Sequence, residues 1–147
     1  MMQVMPSINC LESSIDRDMV SFRVPVHRGK KTGSDMVLHL ANGEILSRKI
    51  TIAGNYPDRL RGLLGRKEIL ADEALIIKPC CQIHTFFMRF SIDVIFLDRY
   101  GSVMHVMENM PPWRVSRLVP SARMAVELPG GILQGRVAPG DILKLEE

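Results

Sequence analysis

No apolar run in this 147-residue chain approaches the roughly 20 residues of a membrane span, and its N-terminus lacks the apolar core of a secretory signal. The expectation is a soluble, cytoplasmic protein, with export open if the native start differs from Met1. Cysteine is scarce: Cys10 stands far from the adjacent Cys80 and Cys81, unlike the even, spaced set of a disulfide-framed secreted domain. A bridge between the two neighbours would strain the intervening peptide, and this usage fits a reducing compartment. Charge of one sign is short as well. The formal net charge of +3 comes from basic residues scattered among acids, so nucleic acid is not an expected partner. No Gly-x-Ser-x-Gly elbow, phosphate loop or dinucleotide fingerprint occurs, which removes support for the enzyme classes that carry them. There is no internal repeat and no low-complexity tract.

The chain length fits one domain with a single core. Met1 to Asp35 shows no sustained apolar period and closes on HRGKKTGSD, a basic stretch of linker composition. It reads as a partly mobile N-terminal extension that adds little to the core, with one edge strand at most, over Ser21–Val26. Residues 36–147 read as the domain. There MVLHL and EILSRKITIA flank Asn42-Gly43, a dipeptide that accepts the positive φ angles of a hairpin turn. Asn55 is placed to cap a helix near Pro57 to Leu64, with Asp58 in its first turn and Gly65 as its stop. Strands are expected over Ala74–Lys78, Ile92–Leu97, Val103–Met107, Arg123–Leu128 and Ile142–Leu145, with loops marked by Pro111, Pro112 and Pro120. Many short strands and one secure short helix predict a mostly β (α+β) single domain, barrel-like or a strongly curved sheet that hides its edges.

The run CCQIHTFFMRFSIDVIFLD, Cys80 to Asp98, sets a polar cluster against a strand with two apolar faces. Asp93 falls on one of those faces, where an unpaired carboxylate costs several kcal/mol, so a cation or backbone N–H groups should hold it. His84, Arg89, Arg59 and Arg61 are the nearest side chains in sequence that could do so. Glu127 alternates with Ala125 and Arg123, opposite Met124, Val126 and Leu128, which points it toward a partly polar surface or cleft.

Four motifs in order, RLRGLLGR, IHTFFMRFSIDVIFLD, VELPGG and APGD, resemble the DUF192 family, also called UPF0127. The resemblance runs from about Asn42 to Glu147. It implies a compact, mostly β fold with a helix carrying the RxxGLL-type motif, and it implies no biochemical activity. Its motif positions here are Arg59, Gly62, Leu63, Gly65 and Arg66 in the helix, then His84, Thr85, Met88 and Asp93, then Glu127, Leu128 and Gly130, and finally Gly140 and Asp141.

Cys80, Cys81, His84 and His105 are ligand types, but adjacent cysteines do not readily turn both sulfurs to one ion, so no metal is expected. No cofactor is expected either. Three functions remain. The first is a non-enzymatic small-ligand-binding or accessory domain whose polar cleft holds Arg59, Arg61, His84, Asp93 and Glu127, forked arginine donors suiting a small anionic ligand or a peptide. The second is a hydrolase-type enzyme using His84, Asp93 and Glu127; a Cys80 or Cys81 nucleophile with His84 as base is the other arrangement the run suggests, but three residues of separation do not establish contact. The third is a protein-interaction module working through Trp113, Phe86, Phe87 and the N-terminal segment. Convergence of His84, Asp93 and Glu127 in an open cleft favours the first two. An exposed aromatic patch without a cleft favours the third.

Overall fold

The computed structural model describes Phe22, residues 32–33 and residues 36–146. Its elements are β1 (Thr32–Gly33), β2 (Val37–Leu40), β3 (Ile45–Ser47), β4 (Lys49–Ala53), α1 (Tyr56–Arg61), β5 (Glu73–Ile77), β6 (Ile92–Leu97), β7 (Val103–Met110), β8 (Met124–Pro129) and β9 (Leu143–Glu146). They form a six-stranded sheet in the order β1-β4-β5-β8-β6-β7 and a three-stranded sheet in the order β3-β2-β9. The expected mostly β class holds. The barrel does not: the described strands lie in two separate sheets, and the second covers one face of the first.

The Asn42-Gly43 turn forms as its residues dictate. Gly43 sits at φ +90, its N–H donates to the Leu40 carbonyl, and the Asn42 side chain accepts the Glu44 N–H. The apolar stretch after it is not one strand. β3 pairs with β2, while β4 begins two residues after β3 ends and joins the other sheet, so the chain changes sheets at Arg48. From β4 it crosses through α1 to β5, which lies parallel to β4.

Asn55 caps α1 by accepting the Asp58 N–H at 2.9 Å. The helix stops earlier than expected, at Gly62 with φ +41, whose N–H closes on the Asp58 carbonyl. The left-handed freedom of glycine is thus used one turn before Gly65.

Side chains alternate across the large sheet into two cores. Ile50, Ala74, Ile76, Ile95, Leu97, Met124, Val126 and Leu128 meet the three-stranded sheet through Leu38, Leu40 and Leu143. Leu75, Ile77, Ile92, Val94, Phe96 and Ala125 face the other way, onto Leu63, Ile69, Ile83, Met88 and Val119 from the helix region and the long loops. All six residues of β6 are buried, as expected of a strand covered on both sides.

Phe22 is 7% exposed and packs in the first core, close over Gly101, and Thr32–Gly33 pair with the edge of β4. Of Met1 to Asp35, expected to add little to the core, Phe22 is a core residue. The edge strand expected over Ser21–Val26 lies, apart from Phe22, outside the described residues.

Candidate functional site

Asp93 is fully buried, and its partners are neither His84 nor an arginine. Oδ1 accepts the N–H groups of Asn109 at 2.7 Å and Gly131 at 2.8 Å, and Oδ2 accepts that of Leu133 at 2.8 Å. Three main-chain donors satisfy the charge without a cation. The carboxylate thereby ties the start of β6 to a bulge in β7 and to the turn after β8. The two glycines of VELPGG belong to this clamp. A Cβ on Gly130 would stand 2.8 Å from the Ser91 carbonyl oxygen, and Gly131 holds φ +79 while donating to Asp93. Gly140 and Asp141 of APGD make a second turn, in which Asp141 accepts the Ala138 N–H at 2.8 Å.

Glu127 is also fully buried, on the opposite face of the same sheet. Asp93 stands opposite Leu128 in the register, whereas Glu127 stands opposite Val94 and Leu75, whose side chains belong to the second core. The alternation read from sequence was correct, but that face meets loops and a helix, not water. Burial raises the Glu127 carboxyl from 4.5 to about 8, so it is neutral at pH 7. It lies within electrostatic reach of Cys80, as does Arg59. Burial above all pushes the Cys80 thiol up to about 12, against the lowering effects of a main-chain hydrogen bond with Gln82 and of the charge of Arg59. A thiol so held is no nucleophile at neutral pH. Cys80 is free, so the two neighbouring cysteines are not bridged to each other, but Cys81 is disulfide-bonded. The cysteines therefore do not fix a reducing compartment.

His84 is buried elsewhere. Its Nδ1 accepts the Phe86 N–H at 3.3 Å and its ring stacks on Phe86 at 4.8 Å. Burial lowers its pKa, in keeping with a neutral ring that accepts at Nδ1. Arg61 lines a cleft of about 380 Å³ between the end of α1 and strands β4 and β5, together with Asp58, Arg66 and Glu73. Arg66 is paired there with Glu73 at 2.8 Å. The five residues expected in one cleft are thus distributed: Arg59 and Glu127 near Cys80, Arg61 in the cleft beside α1, His84 in a loop pair, and Asp93 across the sheet.

The loop pair holding His84 has a construction the motif reading did not foresee. The stretch 81–85 runs antiparallel to 113–119, zipped by main-chain bonds between Thr85 and both Trp113 and Arg114, between Ser116 and Ile83, and between Val119 and Cys81. Thr85 Oγ1 donates to the Pro111 carbonyl at 2.6 Å and accepts the Arg114 N–H, while buried Ser116 accepts the Ile83 N–H on its hydroxyl. Val115 and Arg117, on either side of buried Ser116, are exposed, and so are two aromatic residues of the pair. Phe87 is 47% and Trp113 55% exposed, their rings meet edge to face at 4.6 Å, and Phe86 lies 6.0 Å from Trp113. Phe87 and Trp113 both occupy the left-handed region, at φ 63 and 62. That conformation costs a bulky residue roughly 1–3 kcal/mol and is held by the surrounding bonds. The signal in sequence was composition: the loops 78–91 and 111–123 contain no acid.

A family model described as "Uncharacterized ACR", that of DUF192, matches residues 18–145. The chain belongs to the DUF192 family. The match begins well before Asn42, where the four motifs alone set its start, and it takes in the buried Phe22. A UPF0127 protein from Thermococcus sibiricus is 32% identical over 104 residues, 67% of this chain and 66% of that protein. One from Pyrococcus furiosus is 30% identical over 112 residues, 74% of this chain and 96% of its own. A crystal structure of a protein of unknown function from Novosphingobium aromaticivorans superposes with a TM-score of 0.64 at 20% identity, covering 74% of this chain and 82% of the other. That likeness establishes a shared fold. Among the described residues no helix is long and apolar enough to cross a membrane.

Proposed function

We propose that this DUF192 chain is a non-catalytic binding domain that works through the ledge of Phe86, Phe87 and Trp113. The observation that carries the reading is the pair Phe87 and Trp113, half exposed, in edge contact and both held at positive φ. Folding gains little from strained aromatics left in water, whereas a recognition surface gains rigid apolar area. The separation of Asp93 and Glu127 onto opposite faces, both buried, argues against a hydrolase that pairs them, since an acid and a base must reach the same substrate. A native mass spectrum of freshly purified protein tests the ledge. We expect a bound species or a second copy that is lost in the Phe87→Ser/Trp113→Ser variant. A bare monomer in both spectra counts against it.

A second reading keeps a small anionic ligand and moves it to the cleft beside α1, where Arg61 lines a volume suited to a small molecule. Inorganic phosphate should then raise the melting temperature, and Arg61→Gln should remove that rise.

A further inference from the structure

We infer that the aromatic ledge docks on an anionic lipid surface; this deepens the proposed function and rests on it. The two zipped loops, 78–91 and 111–123, carry Lys78, Arg89, Arg114, Arg117 and Arg123 and not one Asp or Glu. The whole chain has a net charge of only +3, so the positive excess is concentrated in this pair. Arg89, Arg114 and Arg117 are exposed, and on the same two loops stand Phe87, Trp113, Val115 and Leu118, each more than 40% exposed. The nearest acid in the chain before the second loop, Glu108, is turned to the Gly135 N–H at 2.8 Å.

Apolar tips set among cations with no acid between them match the boundary between lipid headgroups and acyl chains. There aromatic rings enter and arginines meet phosphates. The alternatives fit less well. Stacking of nucleic-acid bases needs open, parallel ring faces, whereas Phe87 and Trp113 meet at 61° with each other. An acidic protein would satisfy the arginines without requiring four separate apolar side chains to project from both loops. The backbone zipper supplies the rigidity that insertion needs, because the tips are presented without ordering a flexible loop.

Trp113 is the single tryptophan of the chain, so its emission reports on the ledge alone. The full chain is titrated with vesicles of phosphatidylcholine and with vesicles containing about one quarter phosphatidylglycerol, the anionic lipid that would attract the arginines. A blue shift with the anionic vesicles only, reversed by high salt, is expected. Co-sedimentation should weaken about 25-fold in Arg114→Gln/Arg117→Gln, from roughly fivefold per arginine near a charged surface. It should be lost in Phe87→Ala/Trp113→Ala, with unchanged melting temperature in the arginine variant as the folding control. A shift with polyglutamate but not with vesicles overturns the lipid partner and leaves the ledge as a dock for acidic protein. A shift with oligothymidylate alone overturns it in favour of single-stranded nucleic acid. If no probe acts, the lipid inference fails and the ledge stands or falls by the native mass spectrum.

Discussion

Replacing Asp93 with alanine removes the acceptor of three main-chain N–H groups in one step. Leu133 N–H is buried and has nowhere to turn, so its loss falls near the upper end of the roughly 1–3 kcal/mol assigned to an orphaned buried donor. The N–H groups of Asn109 and Gly131 are partly buried and can recruit water, which puts each at about 1 kcal/mol. The variant should therefore lose about 5 kcal/mol, a large share of the roughly 5–15 kcal/mol that holds a domain together. Asp93→Asn is the sharper comparison. Its oxygen can keep the two donors that share Oδ1, but its amide then points N–H at N–H toward Leu133, so about 2 kcal/mol should go. Urea unfolding at pH 7, followed by Trp113 emission with an unchanged dependence on denaturant, measures both. A loss below about 1 kcal/mol for alanine, or asparagine worse than alanine, would refute the clamp.

Glu127 is protonated in the folded chain up to about pH 8 but ionises near 4.5 once unfolded. Its folded state binds the extra proton, so its contribution is whole below pH 4.5 and is lost as pH rises toward 8, up to roughly 5 kcal/mol in all. Urea midpoints between pH 5 and 8 should fall, and Glu127→Gln should flatten that slope; equal slopes would sink the assignment. Phe22→Ala should cost about 3 kcal/mol, because a buried phenylalanine over Gly101 leaves a cavity. A change under about 1 kcal/mol in chemical denaturation would return the N-terminal stretch to a dispensable extension. Trp113→Gly should be more stable than Trp113→Ala by about 1 kcal/mol, since only glycine occupies φ 62 freely. Calorimetry would show this as a few degrees in melting temperature, and the reverse order would remove the strain argument.

Period-2 alternation was legible wherever a strand is covered on both sides: β6 begins and ends where its pattern placed it, and β8 is displaced by one residue. The hairpin at Asn42-Gly43 and the cap at Asn55 were legible too, because each rests on one residue's own chemistry. The sheet change at Arg48 was not. Nothing in EILSRKITIA marks where one sheet ends, since both strands on either side are equally β-favouring and the break is set by which core each meets. Asp93 was read correctly as an anchor that needed partners, but main-chain donors from two distant segments have no signature in side-chain sequence. Glu127 shows the opposite limit. Its face was assigned correctly, and only the loops folded over that face made it interior. His84 is not among the partners of Asp93, because nearness along the chain does not fix where a loop turns.

The zipper beneath the ledge has a consequence for how this surface can diverge. Thr85 and Ser116 bind main-chain atoms, not particular side chains, so the residues at 86, 89, 114, 115, 117 and 118 can be exchanged without altering the bonds that present them. Only positions 87 and 113 carry a tax on change, because the left-handed backbone there admits glycine, asparagine and aspartate more readily than most replacements. Two chains sharing this scaffold can therefore display unrelated chemistry from the same perch, and similarity of fold among them carries no expectation of a common target.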